Sequence, residues 1–321
     1  MTTLQHNGTN SREKENLIGM LQRVRHPDQR EKLYRQARAI VQKHLGNRGR
    51  IWAAIGLDEA PCKMNCKFCS FASQWTQFNE PCELCNEEVL DWAERFIRGG
   101  VDYLILRTSE QYPLERLLDL GRIISHRKPD HIRLVANTRL ASDIQLAELR
   151  EAGFYGIYKT IRLREGVDTA FEPAARLEQI KQARDRGLKV FALVEPVGLE
   201  HTDEEIADAI LALRDDIRTS LIGAMARVPV EGSPLFCYGA VETQRLADIT
   251  AVSILAFADN IENIDIVCSH PPHVDILQAG ASAVVVEVGA IPRDTKFSQT
   301  EWRGLNISEA RNLLRQGGYE I

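Results

Sequence analysis

Three cysteines, Cys62, Cys66 and Cys69, lie in the run PCKMNCKFCSFA with C-x3-C-x2-C spacing. Three thiolates on one short loop can ligate three irons of a cubane, which leaves the fourth iron without a protein ligand. Such an iron is open to the nitrogen and oxygen atoms of a small molecule. The triad could also be a zinc site or a set of buried structural thiols. A structural zinc usually takes four ligands, often as two close pairs, and C-x3-C-x2-C alone does not complete that set. The spacing therefore points to an iron–sulfur cluster.

The chain has seven cysteines in all. Cys82 and Cys85 form a C-x2-C pair in NEPCELCNEE, Cys237 lies in SPLFCYG, and Cys268 lies in VCSHPP, beside His270. A second iron–sulfur cluster could use Cys82, Cys85 and Cys268, with Cys237 or a non-cysteine group as fourth ligand, since separate segments commonly share a cluster. The alternative is a zinc half-site at the pair and small buried hydrophobes at Cys237 and Cys268.

These residues need a frame to hold them. From residue 50 onward, short apolar runs alternate with amphipathic segments at intervals of roughly 25–35 residues, as βα units do. The runs are IWAAIGL, DYLILRT, IRLVANT, YGIYKTI, KVFALVEP, TSLIGAM, NIDIVCS and SAVVVEV. Each gap is long enough for the crossover helix that a parallel connection requires. Eight units predict an α/β fold, a (βα)8 TIM-type barrel over residues 49–321. An open doubly wound sheet fits the same alternation. Residues 1–48 read as an N-terminal helical extension of two helices broken near Pro27, behind an unstructured start over residues 1–10. The tail SEARNLLRQGGYEI reads as a last helix.

Hydrophobic content of 44% and charged content of 26% suit a globular chain. A net charge of −5 argues against bulk binding to nucleic acid. The start is polar, with no secretory apolar region, and no apolar run approaches the ~18 residues of a membrane span. A cytoplasmic location follows as an expectation. There thiols stay reduced, which favours metal ligation over disulfides.

The triad resembles that of the radical S-adenosylmethionine superfamily, and Phe68 just before Cys69 adds to the match. Over most of residues 50–292 the chain resembles the biotin synthase group. RLEQIKQARDRGLKVFALVEPVGLEHTDEE is similar to that group's helix, fifth strand and following loop, and ARVPVEGSPL to its sixth strand and loop. The resemblance implies a [4Fe-4S] cluster that cleaves S-adenosylmethionine to a 5′-deoxyadenosyl radical. It also implies an external electron donor, ferredoxin or flavodoxin. Thr108, Ser109 and Glu110 then fall where the family binds the methionine amine. Arg162, Arg164 and Glu165 fall where it binds ribose and carboxylate, Glu200 near the adenine-side loop, and Phe68 against adenine.

The inner strands of a biotin synthase carry cysteines for an auxiliary cluster. DYLILRT, IRLVANT and KVFALVEP have none, and Cys268 and His270 stand where that enzyme has an arginine. The C-x2-C pair resembles instead one component of a two-component lipoyl synthase. Its partners would be an octanoylated lipoyl-carrier protein and a paired radical subunit. The alternatives are a radical mutase or cofactor maturase that needs only the first cluster, and a non-enzymatic scaffold with an inert cluster or zinc.

Overall fold

The structure is a computed structural model that describes residues 9–76, 81–139, 142–290 and 304–321. Eight strand positions follow the chain: β1 (Arg50–Gly56), β2 (Tyr103–Arg107), β3 (Arg133–Asn137), β4 (Gly156–Tyr158), β5 (Lys189–Phe191, continued by Val194–Val197), β6 (Leu221–Ile222, continued by Ala224–Ala226), β7 (Ile266–Val267) and β8 (Ala283–Gly289). Each lies within or overlaps one of the eight apolar runs. Parallel strands covered on both faces read as near-continuous hydrophobic runs, and all seven residues of β1 but Arg50 are buried.

The pairing decides between barrel and open sheet. One sheet runs in the order β8-β1-β2-β3-β4-β5. Val194–Val197 then pairs in parallel with Ala224–Ala226, and Leu221–Ile222 with Ile266–Val267. A parallel bridge joins Cys268 to Ala283, and Ser282 N donates to Val267 O at 2.8 Å. The ring thus returns to β8, which pairs with β1 along its whole length, Arg50 to Ala283 through Gly56 to Gly289. An open sheet would leave two edges; this one closes.

Inside the barrel, Trp52 stacks on Tyr103 with ring centroids 4.8 Å apart, and Phe191 meets the two edge-on at 5.1 and 5.7 Å. These rings come from the N-terminal halves of their strands, so they floor the barrel interior and leave room only above, at the C-terminal ends. Outside, the faces of α3 (Asn86–Arg98), α4 (Leu114–Arg127), α5 (Asp143–Glu151), α6 (Pro173–Asp185), α7 (Asp203–Ala212), α8 (Thr243–Ala256) and α9 (Val274–Gln278) carry the second core layer, and α10 (Ile307–Gln316) packs beside β1 and β8.

The extension forms α1 (Thr9–Arg23) and α2 (Pro27–Leu45), with Pro27 in the first turn of α2, where its missing N–H costs nothing. α1 packs on α7 and α8, and α2 packs on α8. Arg25 pairs with Asp203 at 2.8 Å, and Tyr34 donates to Asp248 at 2.8 Å. Of the unstructured start expected for residues 1–10, the first eight lie outside the described residues, and Thr9 already belongs to α1.

The closure at β6 and β7 depends on one glycine. Gly223 has φ of +151°, and a Cβ there would lie 1.9 Å from the carbonyl oxygen of Cys268. Gly223→Ala is therefore expected to force β6 and β7 apart and to lower the melting temperature by roughly 10 °C or more, as strained-backbone and overpacking changes of several kcal/mol do. Thermal unfolding followed by circular dichroism checks this; an unchanged midpoint would remove the steric argument.

Candidate active site

The cysteine loop leaves β1 at its C-terminal end, the face where barrel active sites form. Leu57 N donates to Arg107 O at 2.8 Å and keeps the exit in step with β2. The loop then folds back on itself: Cys62 N donates to Phe71 O at 2.6 Å and Ser73 N to Cys62 O at 3.0 Å. A tight turn, Cys69 N to Cys66 O at 2.9 Å, brings the second and third cysteines together. Asn65 sits at φ +47°, a conformation Asn tolerates better than most residues, and its side-chain oxygen accepts from Ser73 Oγ and Gln74 N. Lys67 anchors the loop from outside, pairing with buried Asp168 at 3.1 Å. The outcome is that Cys62, Cys66 and Cys69 all line one cavity of about 200 Å³ in the barrel mouth.

Burial pushes the Cys66 thiol up to about 12 and the Cys69 thiol up to about 11, and raises Cys62 as well. As bare thiols these groups would be poor nucleophiles. A bound metal reverses that logic, because a coordinating thiol is deprotonated outright. Three half-buried thiols on one loop, with no fourth cysteine in it, fit a cubane with one open iron. Cys69 Sγ also accepts from Phe71 N at 3.4 Å, the kind of amide–sulfur bond that tunes a cluster. When bound, the cluster and S-adenosylmethionine supply radical chemistry; the chain's own part is to hold, orient and shield the reactants.

The other expected contacts divide. Phe68, Thr108, Ser109, Glu110 and Arg162 all line the cavity. Thr108 Oγ1 donates to Thr138 Oγ1 at 2.8 Å, so two strand ends share it. Ser109 is a brace: its N and Oγ both bond the Asp58 carboxylate, at 2.7 and 2.5 Å, which commits its side chain away from a ligand. Arg162 lies 3.8 Å from Glu195 and 6.0 Å from the Phe68 ring.

Arg164, Glu165 and Glu200, expected beside the cofactor, are not among the residues that line the cavity. Arg164 takes a left-handed φ of +56° and turns outward toward Asp168 and Glu205, at 3.5 and 3.9 Å. Glu165 is buried in a 2.6 Å ion pair with Arg176 and accepts from Arg162 N at 2.9 Å, so it shapes the loop that presents Arg162. Glu200 is ion-paired with Arg227, and it is Arg227 that reaches the cavity. Gly198 makes room for that pair, since a Cβ there would come within 2.4 Å of both partners.

Sequence reasoning missed much of the cavity wall. Arg107 at the end of β2 pairs with Glu287 of β8 at 3.0 Å, and His270 after β7 approaches Glu287 at 3.4 Å. Tyr158 at the end of β4 donates a short hydrogen bond to Glu195 of β5. All five line the cavity. Their signal was positional: polar residues at the C-terminal ends of apolar runs, where barrels place their chemistry.

The four cysteines proposed for a second cluster are not brought together. Cys268 is 3% exposed and lines the cavity. Cys82 is exposed in a two-residue ribbon against Glu59, Cys85 is exposed at the N-terminus of α3, and Cys237 is exposed on the 3-10 turn Phe236–Tyr238. None of those three lines the cavity. The reason is topological: the ribbon returns the chain along the outer rim of β1, whereas Cys268 continues β7 into the barrel.

A parallel barrel with a three-cysteine loop at the mouth of its first strand is an α/β barrel with a candidate iron–sulfur site where such folds place their chemistry. The model of the Radical SAM superfamily matches residues 61–213, the stretch holding the triad, Thr108 to Glu110 and Arg162. The match, with relatives in the biotin synthase group, supports a place in the radical SAM superfamily and implies a [4Fe-4S] cluster and S-adenosylmethionine as cofactors. Biotin synthase of Kocuria rhizophila is 25% identical over 224 residues, 67% of this chain and 47% of that protein. Biotin synthase of Saccharopolyspora erythraea is 25% identical over 227 residues, 68% of this chain and 62% of that protein. The matches thus span about half to three fifths of those relatives' length. Among solved structures, methylornithine synthase superposes with a TM-score of 0.79 at 18% identity, covering 96% of this chain and 93% of that one. HydG, a maturase of the [FeFe]-hydrogenase, superposes with 0.74 at 15% identity, covering 98% and 76%. At those identities the likeness is one of fold. No helix among the described residues is long and apolar enough to cross a membrane.

Proposed function

We propose that this radical SAM enzyme draws a hydrogen atom from a small polar substrate held in the barrel mouth, and that it inserts no sulfur from an auxiliary cluster. One observation carries the reading: within a lining that is otherwise largely apolar, a group of charged and hydrogen-bonded side chains is gathered at the strand ends. Arg107–Glu287, Arg162–Glu195, Tyr158 and His270 crowd the strand ends. Buried charge is tolerated only where hydrogen-bonding partners surround it. A substrate with polar groups of its own can answer the charges gathered there, which an octanoyl tail cannot do. The reaction class is then a rearrangement or cleavage, with an external ferredoxin or flavodoxin as electron donor.

Sulfur insertion is the second reading, with an octanoylated lipoyl-carrier protein and a paired radical subunit as partners. The biotin synthase relatives and the Cys82–Cys85 pair favour it. Anaerobic reconstitution separates the two. The proposal expects about four irons per chain, unchanged in the Cys82→Ala/Cys85→Ala variant. It expects sulfur-free products from a panel of free amino acids, read by mass spectrometry. About eight irons, half of them lost in that variant, or sulfur in the octanoyl chain of a carrier protein, would overturn it.

A further inference from the structure

We propose that Cys268 is the hydrogen-atom donor of this active site, a catalytic thiol that returns a hydrogen to a carbon-centred radical in the cavity. The inference rests on the reading that Cys268 ligates no auxiliary cluster. Strand geometry aims it. Successive residues of a strand face opposite sides, and Ser269 faces outward, where its Oγ accepts from Ala224 N at 2.9 Å and meets Thr250 Oγ1 at 2.7 Å. Cys268 and His270 on either side of it therefore face inward, and both line the cavity that the triad lines.

Elimination gives the thiol its role. A cysteine bound to iron has no S–H left to give, which removes Cys62, Cys66 and Cys69. Cys82, Cys85 and Cys237 are exposed and outside the cavity. Cys268 is thus the one thiol hydrogen facing the cavity among the described residues. Burial, with Glu287 nearby, pushes this thiol up to about 12, so it keeps its proton in any ordinary buffer. The same cavity shows independently that it is shaped around a ligand. Arg227 is only 2% exposed and lines it, yet its Nε has no hydrogen-bond partner, although Nη1 pairs with Glu200 and Nη2 donates to the Gly239 carbonyl at 3.5 Å.

The step balances simply. The S–H bond breaks, a C–H bond forms, and a thiyl radical remains on Cys268. An external low-potential one-electron reductant and a solvent proton then restore the thiol. Hydroxyl hydrogens are held too tightly to replace it, so serine cannot substitute.

The test needs no substrate. The reconstituted full chain is given S-adenosylmethionine and dithionite in D2O, where the thiol carries deuterium, and the released 5′-deoxyadenosine is analysed by mass spectrometry. The wild-type protein is expected to place one solvent deuterium in the 5′-methyl group, and Cys268→Ser to lose that label to background while keeping its iron. Unlabelled wild-type product, or equal label in Cys268→Ser, would overturn the assignment. Iron lost from Cys268→Ser would overturn it too, by marking the residue as a cluster ligand. Cys268→Ala offers a second background if the serine variant does not assemble. A wrong substrate class in the function proposed above leaves every one of these outcomes untouched.

Discussion

Cys66→Ala is expected to strip the cluster and to reduce 5′-deoxyadenosine formation to background, while the barrel remains folded. The chemistry is carried by the cofactor, and the chain's own groups supply binding and orientation. Losing one of three thiolate ligands therefore removes the reaction itself and not merely a fraction of its rate. The fold argument runs the other way. The turn at this residue is made by its backbone oxygen, which accepts from Cys69 N at 2.9 Å, and alanine keeps that oxygen. The loop is also tied at Asp168, Phe71 and Trp75, none of which needs the thiol. A stability loss of about 1 kcal/mol, ordinary for a point substitution, is the expected cost. Iron content, the electron paramagnetic signal of the reduced cluster and the melting temperature read the two effects separately. Cys237→Ala is the control: it is exposed, and its sulfur approaches only the Pro234 carbonyl, at 3.9 Å. A Cys66→Ala protein with full iron and full nucleoside release would show that the triad is not the ligand set.

The contrast between Cys66 and Glu165 explains what the sequence could and could not reveal. Ligand spacing is local, so C-x3-C-x2-C identified a cluster loop before any fold was known. The eight apolar runs were equally legible, because a strand covered on both faces has to be apolar throughout. Which polar residue faces inward is a different question. Arg162, Arg164 and Glu165 are near neighbours in one loop, and only a left-handed turn at Arg164 and the buried Arg176 decide that Arg162 alone enters the cavity. Glu200 was drawn to the site by its neighbourhood in sequence, yet it acts one step back, through Arg227. The Cys82–Cys85 pair likewise lies apart from the cavity. It is near the triad in sequence, but the two-residue ribbon with Asp58–Glu59 carries it to the outer rim. The meeting of Arg107, Glu287 and His270 was not legible because it is set by closure of the ring, in which β2 and β8 flank β1.

That meeting point carries the second large effect. Glu287→Leu is expected to destabilise the protein by about 3–5 kcal/mol, the usual cost of removing one partner from a buried ion pair. Arg107 and Glu287 are each 7% exposed and 3.0 Å apart. With the carboxylate gone, the guanidinium keeps its bond to Ala290 O but stays charged where it is only 7% exposed. A melting temperature lower by roughly 10 °C follows. The double variant Arg107→Met/Glu287→Leu should recover most of the loss, since replacing both charges with apolar groups of similar volume is often neutral. If Glu287→Leu melts like the wild type and the double variant is no better, the pair does not hold β8 to β2. The double variant also weighs the two functional readings. It should keep its iron, because neither residue belongs to the cysteine loop, and it presents an apolar wall where the wild type presents charge. An enzyme for a small polar substrate would lose turnover of that substrate while still releasing 5′-deoxyadenosine without it. An enzyme for an octanoyl chain would bind its substrate at least as well as before.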